Sequence, residues 1–137
     1  MKLVIDSNIV IASLIKDSLS RRIIFSSAIR FIAPDHTLKE ITKYKKIICK
    51  KAKISSHEFD VLLHLIFEHI TIVPKEEYED FLDKAKTLID DIDDVPFVAL
   101  CLASNADGIW SDDTHFKTQK EITIYRTKEV SLAYMSY

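Results

Sequence analysis

Residues 90–116 of the chain read DDIDDVPFVALCLASNADGIWSDDTHF, and this stretch decides the fold. Carboxylates crowd both of its ends, and between them an apolar run, Phe97 to Ala103, predicts a buried helix. The short segment that follows, Gly108 to Ser111, predicts a strand because β-prone residues make up its centre. The order acid, helix, strand, acid therefore places acidic groups at a helix start and at a strand end.

The acids of this stretch are predicted to meet. If Asp93 or Asp94 caps the helix, Pro96 falls in the first helical turn, where its missing N–H costs nothing. The strand ends in Asp112 and Asp113, and open α/β sheets bind their ligands at the carboxyl ends of the strands. Carboxylates brought together repel one another unless a cation neutralises them, and oxygen ligands suit Mg²⁺ or Mn²⁺. The stretch therefore predicts a divalent-metal site.

The composition indicates one domain, residues 1–137. Of the 137 residues, 47% are hydrophobic, which is enough for one substantial core. A net charge of −2 gives no global attraction to nucleic acid, so any such binding must use a local patch. The single glycine, Gly108, excludes the Gly-rich phosphate loops of P-loop and dinucleotide-binding folds.

The cysteines and the N-terminal residues favour an intracellular protein. Cys49 and Cys101 both lie in apolar, helix-like contexts, which are typical of reduced core thiols. The start, MKLVIDSNIV, is too short and carries an acid too early for a signal peptide. No apolar run reaches the roughly 20 residues that span a bilayer. We therefore expect a soluble, cytoplasmic protein without a membrane contact.

Strands alternate with helices along the rest of the chain. Lys2 to Ile5 is a short apolar run that ends at Asp6, which predicts a buried parallel strand followed by a helix over residues 9–16. Further strands are predicted at residues 30–33, 70–73 and 122–125, and further helices at residues 21–29, 36–52, 55–69, 76–89 and 128–135. This alternation predicts an α/β fold, a three-layer α/β/α sandwich with a central parallel sheet of about five strands.

The predicted helix over residues 36–52 has an apolar face and a basic face. Apolar side chains at spacings of three and four residues predict an inward stripe of Leu38, Ile41, Tyr44 and Ile48. Lysines at the same spacings form the other face, namely Lys39, Lys43, Lys46, Lys50 and Lys53. These lysines are either a local nucleic-acid patch or an ordinary solvated helix face.

Four motifs stand in a fixed order along the chain: Val4–Val10 (VIDSNIV), Glu40 early in a helix, Asp94–Leu100 (DVPFVAL) and Ser111–Phe116 (SDDTHF). With these motifs the chain resembles the PIN domain family, the metal-dependent ribonuclease fold that includes the VapC-like toxins of toxin–antitoxin pairs. The resemblance covers the full length of the chain. It implies the same α/β/α sandwich that the alternation of strands and helices predicts.

The resemblance also implies the site, residue by residue. The acids that would be catalytic and would hold the metal are Asp6, Glu40, Asp94 and Asp113. The polar neighbours that would contact the substrate are Asn8 and Ser111, and His115, which lies beside the acids, is a further candidate for contact with a substrate phosphate. Many relatives carry a glycine where this chain has Asp112, and some carry another acid where it has His115. The choice between Asp112 and Asp113 as the fourth ligand therefore stays open.

The activity that the resemblance implies is metal-dependent RNA cleavage. Bound Mg²⁺ or Mn²⁺ can activate a water and stabilise charge on the attacking and leaving oxygens, so the side chains need only hold the metal. No covalent intermediate is expected. The resemblance further implies endonucleolytic cutting of RNA to a 5′-phosphate and a 3′-hydroxyl, a homodimer, and a small antitoxin that presents a basic side chain to the carboxylates.

Two other functions fit parts of the sequence. A catalytically silent PIN-like module would bind RNA or a partner protein through the lysine face and the apolar helices. Phosphoryl transfer to an aspartate, as in receiver or haloacid-dehalogenase-like domains, also places an acid after the first strand. The segment Asp6-Ser7-Asn8, however, lacks the second acid of the dehalogenase Asp-x-Asp, and receivers gather more acids there.

Several residues also have purely structural interpretations. Asp6 is a candidate cap of the first helix, and Glu40 suits the dipole of its own helix. The acids expected to lie in a solvated loop are Asp90, Asp91 and Asp93, and the histidines expected at the surface or satisfied in the core are His36, His57, His64 and His69. Trp110 is expected to pack against a helix rather than to stack on a base.

Overall fold

Strands and helices alternate along residues 1–135, the part of the chain that the computed structural model describes. Within these residues the strands are β1 (Lys2–Ile5), β2 (Arg30–Pro34), β3 (Ile70–Val73), β4 (Gly108–Trp110) and β5 (Ile124–Tyr125). The helices are α1 (Ser7–Ile15), α2 (Leu19–Phe25), α3 (His36–Lys43), α4 (Lys45–Ala52), α5 (Ser56–Phe67), α6 (Leu82–Leu88), α7 (Val95–Ser104) and α8 (Thr127–Met135). Short 3₁₀ turns lie at Lys75–Glu77, Glu79–Phe81 and Thr114–Thr118.

The five strands form one parallel sheet in the order β3-β2-β1-β4-β5. The carboxyl ends of parallel strands all lie at one edge of the sheet. Asp6 follows β1 at this edge, Asp35 follows β2, and Ser111 follows β4. The predicted parallel sheet of about five strands is confirmed, and acidic and polar residues follow its three central strands at the same edge.

Strand side chains alternate between two apolar cores, one on each face of the sheet. Leu3 and Ile5 belong to a core that α1 to α5 and α8 complete. Val4 belongs to the other core, which α6 and α7 complete. Residues 97–101 of α7 are all buried, as the apolar run of the opening stretch predicts. Helices therefore cover both faces, and the predicted three-layer sandwich is confirmed.

The single helix predicted over residues 36–52 is wrong, because the structure divides it into α3 and α4 at Tyr44. Tyr44 has backbone angles of φ −98° and ψ 7°, and the bend lets both helices pack against α1. Ile41 and Ile48 are buried as predicted, but Leu38 and Tyr44 are 40% and 38% exposed. The predicted inward stripe is therefore half right, and the row of lysines is not one continuous face.

The helix predicted over residues 76–89 begins later, since the chain first makes two 3₁₀ turns and enters α6 only at Leu82. Asp35 explains the delay. Its carboxylate accepts hydrogen bonds from the Lys75 backbone N–H at 3.2 Å and from the Tyr78 hydroxyl at 2.6 Å. These bonds hold the segment that follows β3 against the end of β2. The strand predicted over residues 122–125 is likewise shorter, at Ile124–Tyr125.

Gly108 is required for steric reasons at the start of β4. A Cβ at this position would collide with the carbonyl oxygen of Thr123 and would lie 2.8 Å from the Tyr125 ring. Because this backbone cannot move without disturbing the pairing of β4 with β5, we expect Gly108→Ala to destabilise the fold by about 1–3 kcal/mol. Denaturant unfolding measures this change. An unaltered midpoint would contradict the close approach of the two strands.

Two further expectations concern the cysteines and the membrane. Cys49 and Cys101 are free thiols, and Cys101 is buried, as expected for core cysteines. None of the helices within residues 1–135 combines the length and the apolar character that a bilayer crossing requires.

Candidate metal centre

Asp6 connects β1, α1 and the end of β4. It lies directly after β1 and is only 4% exposed. One carboxylate oxygen accepts a long hydrogen bond of 3.4 Å from the Asn8 backbone N–H, so Asp6 does cap α1. The other oxygen accepts a bond of 2.7 Å from the Ser111 hydroxyl beyond β4. The capping interpretation is therefore correct, and the same side chain also reaches the neighbouring strand.

Ser111 links Asp6 to Asp113. Its hydroxyl oxygen accepts a bond of 3.0 Å from the Asp113 backbone N–H while it donates to Asp6. Ser111 is fully buried and positions two acids, and its contact with a substrate stays a prediction. Asp113 in turn accepts a bond of 2.9 Å from the His115 backbone N–H and starts the turn at Thr114–Thr118.

Asp112 and Asp113 have different environments. Asp112 turns towards α8, where its oxygens accept bonds from the Thr127 backbone N–H at 2.8 Å and the Thr127 hydroxyl at 2.6 Å. Asp113 lines a cleft that it shares with Glu40 and Asp94. The structure therefore leaves Asp113 as the acid that faces the other candidates, while Asp112 holds the N-terminus of α8.

Glu40 lies one helical turn after the start of α3, and its side chain contacts the start of α1. Its carboxylate accepts a bond of 3.0 Å from the Ser7 hydroxyl, whose oxygen also lies 3.3 Å from the Thr37 hydroxyl oxygen. The His36 ring lies one turn earlier on α3, with Nε2 3.5 Å from Glu40 and 3.6 Å from Asp93. Glu40 is thus fixed by contacts from two directions rather than by the helix dipole alone.

Asp94 precedes α7 but does not cap it with its side chain. Pro96 lies in the first turn of α7 as predicted, yet the Asp94 carboxylate accepts no hydrogen bond from the helix. Its Oδ2 atom is buried, and no hydrogen-bond partner for it exists among residues 1–135. Asp94 therefore occupies the N-cap position without a side-chain capping bond. Its carboxylate is left available for another ligand.

The acid cluster, defined as Asp6, Glu40, Asp94 and Asp113, is electrostatically unfavourable without a cation. Burial raises the pKa of Asp6 to about 6, with Glu40 and Asp113 adding to the effect, against the bonds from Ser111 and Asn8. Burial likewise raises the pKa of Glu40, and the Ser7 bond opposes it. Each of these carboxylates is therefore easier to protonate than an ordinary one.

The pKa of Asp94 is shifted further than that of Asp6. Burial raises its pKa to about 7, and the charges of Asp91, Asp6 and Asp113 raise it further, whereas His115 lowers it. The charges of Asp6 and Asp113 act on Asp94, and those of Glu40 and Asp113 act on Asp6, so the four predicted acids lie in one region. The sequence predicts this gathering of acidic side chains at the carboxyl ends of the strands. Within residues 1–135, however, only Asp94 of the four belongs to a group of ligand atoms that all lie within 4.8 Å of one another.

The cluster opens into what we call the acidic cleft, which has a volume of about 450 Å³. Glu40, Asp94 and Asp113 line it, and Asn8 and His115 lie in the same wall. Ligand atoms of Asp91, Asp94 and His115 all lie within 4.8 Å of one another. Asn8 and His115 line the same cleft as these acids, and their contact with a substrate stays a prediction.

Asp91, Asp93 and His36 lie at the candidate site but were not predicted from the sequence as site residues. The sequence predicts a solvated loop for the two acids, and both are exposed, but they also line the acidic cleft. His36 packs edge-on against Phe97 and approaches Glu40. Its spacing of four residues from Glu40 on one helix was a usable signal. No sequence signal identifies the proximity of Asp91 to Asp94 and His115, because it depends on the conformation of the loop.

Trp110 packs in the core as expected. It is fully buried, its ring lies 5.3 Å from that of Phe31, and its indole N–H donates to the Thr127 hydroxyl at 3.0 Å. The interpretation as a core residue is confirmed.

The donor set suits a hard divalent cation. Ligand atoms of Asp91 and His115 lie within 4.8 Å of one on Asp94, whose buried Oδ2 atom lacks a hydrogen-bond partner within residues 1–135. Oxygen-rich sets of this kind bind Mg²⁺ or Mn²⁺, and a cation would offset both the burial and the repulsion that raise these pKa values. The residues present therefore fit the metal that the sequence led us to expect.

Removing the Ser111 hydroxyl tests the support of this cluster. We expect Ser111→Ala to destabilise the protein by about 1–3 kcal/mol, because a buried Asp6 oxygen and the Asp113 N–H lose their partner. Metal affinity should also fall by about 10- to 100-fold, since the acids lose their orientation. Ser104→Ala is the matched control, because the Ser104 hydroxyl donates only to Leu100 within α7. Equal effects of both substitutions would contradict the bridging role.

Comparison with known proteins bears on the fold and the family. A family model described as PIN domain matches residues 4–133. No sequence among the curated proteins matches the chain. A chain in the crystal structure of VapBC2 from Rickettsia felis bound to a DNA fragment from their promoter is similar, with a TM-score of 0.64 and 16% sequence identity. The similarity covers 92% of this chain and 98% of that chain, and it shows a shared fold.

Proposed function

The chain belongs to the PIN domain family, and we propose that it is a divalent-metal-dependent endoribonuclease. The observation that carries the proposal is the Asp94 carboxylate, which has a buried oxygen without a partner in the described residues and a pKa raised to about 7. An acid in such a position is costly unless a cation occupies the site. The cost indicates a functional rather than a structural role.

The residues that would hold Mg²⁺ or Mn²⁺ are those of the acid cluster, with Asp91 and His115 adjacent to Asp94. A bound divalent ion lowers the pKa of water and stabilises charge on phosphoryl oxygens. The chain's own residues prepare the site. Ser111 orients Asp6 and Asp113, and Ser7 orients Glu40.

Hydrolysis at this site is proposed to be direct. The oxygen of a water attacks the phosphorus, the bond from phosphorus to the 3′ oxygen breaks, and the products carry a 5′-phosphate and a 3′-hydroxyl. Asn8 and His115 line the cleft where they can bind the phosphate oxygens. The acids hold the cation, and no side chain bonds to phosphorus.

RNA cleavage with and without metal tests the proposal. Single-stranded RNA is incubated with the protein in Mg²⁺, in Mn²⁺ and in EDTA, and the ends of the products are identified by labelling. We expect cutting in either metal, none in EDTA, and a phosphate on the 5′ end. Cutting that persists in EDTA would overturn the proposal. RNA binding without turnover in any divalent metal would instead favour a catalytically silent binding module.

We further propose that the protein is the toxin of a toxin–antitoxin pair and forms a homodimer. The VapBC2 chain with the same fold supports the first part. A small antitoxin would place a basic side chain among the carboxylates of the acidic cleft, where five line the wall: Glu40, Asp91, Asp93, Asp94 and Asp113. Co-purification of the product of an adjacent small reading frame, with loss of RNA cleavage, is the expected result. A monomer in sedimentation would contradict the homodimer.

A further inference from the structure

A second cleft, which we call the basic cleft, lies beside the acidic cleft. It has a volume of about 270 Å³ and is lined by three lysines from three separate elements. Lys39 lies on α3, Lys75 follows β3, and Lys86 lies on α6. Their convergence is not visible in the sequence, where Lys39 and Lys86 are 47 positions apart.

The three ammonium groups of this cleft form no ion pairs within residues 1–135. The acid in the lining is Asp35, whose two oxygens accept hydrogen bonds from the Lys75 backbone N–H and the Tyr78 hydroxyl rather than from a lysine side chain. No ion pair or hydrogen bond to the side chains of Lys39, Lys75 and Lys86 is formed within the described part of the chain. All three lysines are exposed. With three lysines against one aspartate, the cleft therefore presents an excess of positive charge to solvent.

The two clefts share a thin wall. Asp93 and Asp94 line the acidic cleft, whereas Ile92 and Val95 of the same segment line the basic cleft. His36 completes the wall, since it lines the basic cleft and its Nε2 lies 3.5 Å from Glu40. A polymeric ligand that extends from the acid cluster across residues 92–95 would therefore reach the basic cleft directly.

The order of the strands explains the separation of charge. The acid cluster lies over the carboxyl ends of β1 and β4, and the basic cleft lies over those of β2 and β3. These are neighbouring positions along one edge of the sheet, in the order β3-β2-β1-β4. A polyanion that crosses the strands at this edge meets lysines first and the cation-holding acids next.

We propose that the basic cleft binds the sugar-phosphate backbone of the RNA beside the bond that is cut. This inference rests on the proposed function. Five carboxylates line the acidic cleft against one lysine, Lys51, and the whole chain carries a net charge of −2. RNA cannot be attracted by such a surface without a local cationic site, and the basic cleft is the concentration of unpaired lysines that adjoins it.

The contacts of this cleft are with phosphates rather than with bases. Tyr78 lines the cleft, but it is only 2% exposed and its hydroxyl is bonded to Asp35, so it offers no stacking face. Lysine contacts to phosphates carry no sequence information. The basic cleft therefore contributes affinity and register, and its contribution must weaken as salt concentration rises.

Substitution of the three lysines tests the inference. RNA binding to the full chain is measured in EDTA by fluorescence anisotropy with a labelled single-stranded RNA, over about 0.05 to 0.2 M salt. The triple variant Lys39→Ala, Lys75→Ala and Lys86→Ala should bind on the order of 100-fold more weakly at about 0.1 M salt. The slope of log K against log salt should fall by about 2 in magnitude, or roughly 0.7 per lysine.

A control variant carries the same change in net charge. Lys46→Ala, Lys50→Ala and Lys120→Ala removes three exposed lysines that line neither cleft. Two of them belong to the lysine row that the sequence suggested as a nucleic-acid patch. This variant should keep the affinity and the salt slope of the unaltered protein. Circular dichroism checks that both variants fold.

The outcomes separate the inference from the proposed function. If the unaltered protein cuts RNA and the cleft variant binds RNA as tightly as the control variant does, the inference is wrong while the nuclease proposal stands. If the unaltered protein never cuts RNA but the cleft variant alone loses RNA binding, the inference stands and the nuclease proposal fails. Equal weakening of both variants would show that net charge, not the cleft, sets the affinity.

Discussion

Asp94→Asn is expected to lower the kcat/KM of metal-dependent RNA cleavage by at least about 100-fold and, at the same time, to stabilise the metal-free protein. The loss of activity follows because an amide is a poor ligand for a hard cation where a carboxylate is required. The gain in stability follows because the substitution removes a charge that burial and the charges of Asp91, Asp6 and Asp113 disfavour.

The gain in stability should be about 1 kcal/mol at about pH 8. The full pKa shift of Asp94 implies more, but the residue is partly exposed, so solvent screening reduces the effect. Cleavage kinetics in Mn²⁺ and denaturant unfolding in EDTA measure the two effects. Opposite changes in activity and stability are typical of functional sites.

Asp90→Asn is the matched control for this experiment. Asp90 precedes Asp94 by four residues, is exposed, and does not line the acidic cleft. The control should keep both activity and stability. An Asp94→Asn protein that cuts RNA as fast as the control would contradict the assignment of Asp94. A destabilised Asp94→Asn protein would show that the carboxylate is structural.

The second large expected effect is a loss of stability of the metal-free protein as pH rises from about 4 to about 7. Asp6 and Asp94 have folded-state pKa values of about 6 and about 7, against an ordinary value of 3.8. Between these values the folded state binds more protons than the unfolded state, so the free energy of unfolding falls with rising pH. Asp6 contributes about 3 kcal/mol, and Asp94 adds a smaller, screened amount.

Divalent metal should reverse this loss. At about pH 8 both carboxylates are ionised in the metal-free protein, and a cation that binds only the folded state stabilises it by mass action. Denaturant unfolding across the pH range, with EDTA and then with Mn²⁺, measures both effects. In Asp94→Asn the fall with pH should be shallower, and in the Asp90→Asn control it should be unchanged. A flat profile in EDTA, or no metal effect at about pH 8, would contradict the account.

Much of the fold could be predicted because local rules agree with the global arrangement. Residues 3–5 are apolar on both faces, which favours a central strand, and Pro96 is favourable only near a helix start. The break at Tyr44 could not be predicted in this way. It depends on how α3 and α4 both pack against α1, and such packing leaves no periodic pattern in the sequence.

The positions of the four candidate acids could be predicted from the sequence, but the contacts around them could not. The four acids follow strands or begin helices, so the topology alone brings them to one edge of the sheet. The choice of Asp113 over Asp112 required the structure, because the bonds from Thr127 to Asp112 join residues 15 apart in sequence. The reach of Asp91 and the approach of His36 to Asp93 also depend on a loop conformation.

The most direct test is a crystal grown at about pH 8, where Asp94 is ionised, and soaked in Mn²⁺. The central claim is that side chains from β1, α3, the start of α7 and the end of β4 share a divalent cation. The account predicts anomalous density bound to the Asp94 carboxylate, within reach of Asp6, Glu40 and Asp113. An ordered Asp94 with no metal density beside it, or metal bound only elsewhere on the protein, would contradict the claim.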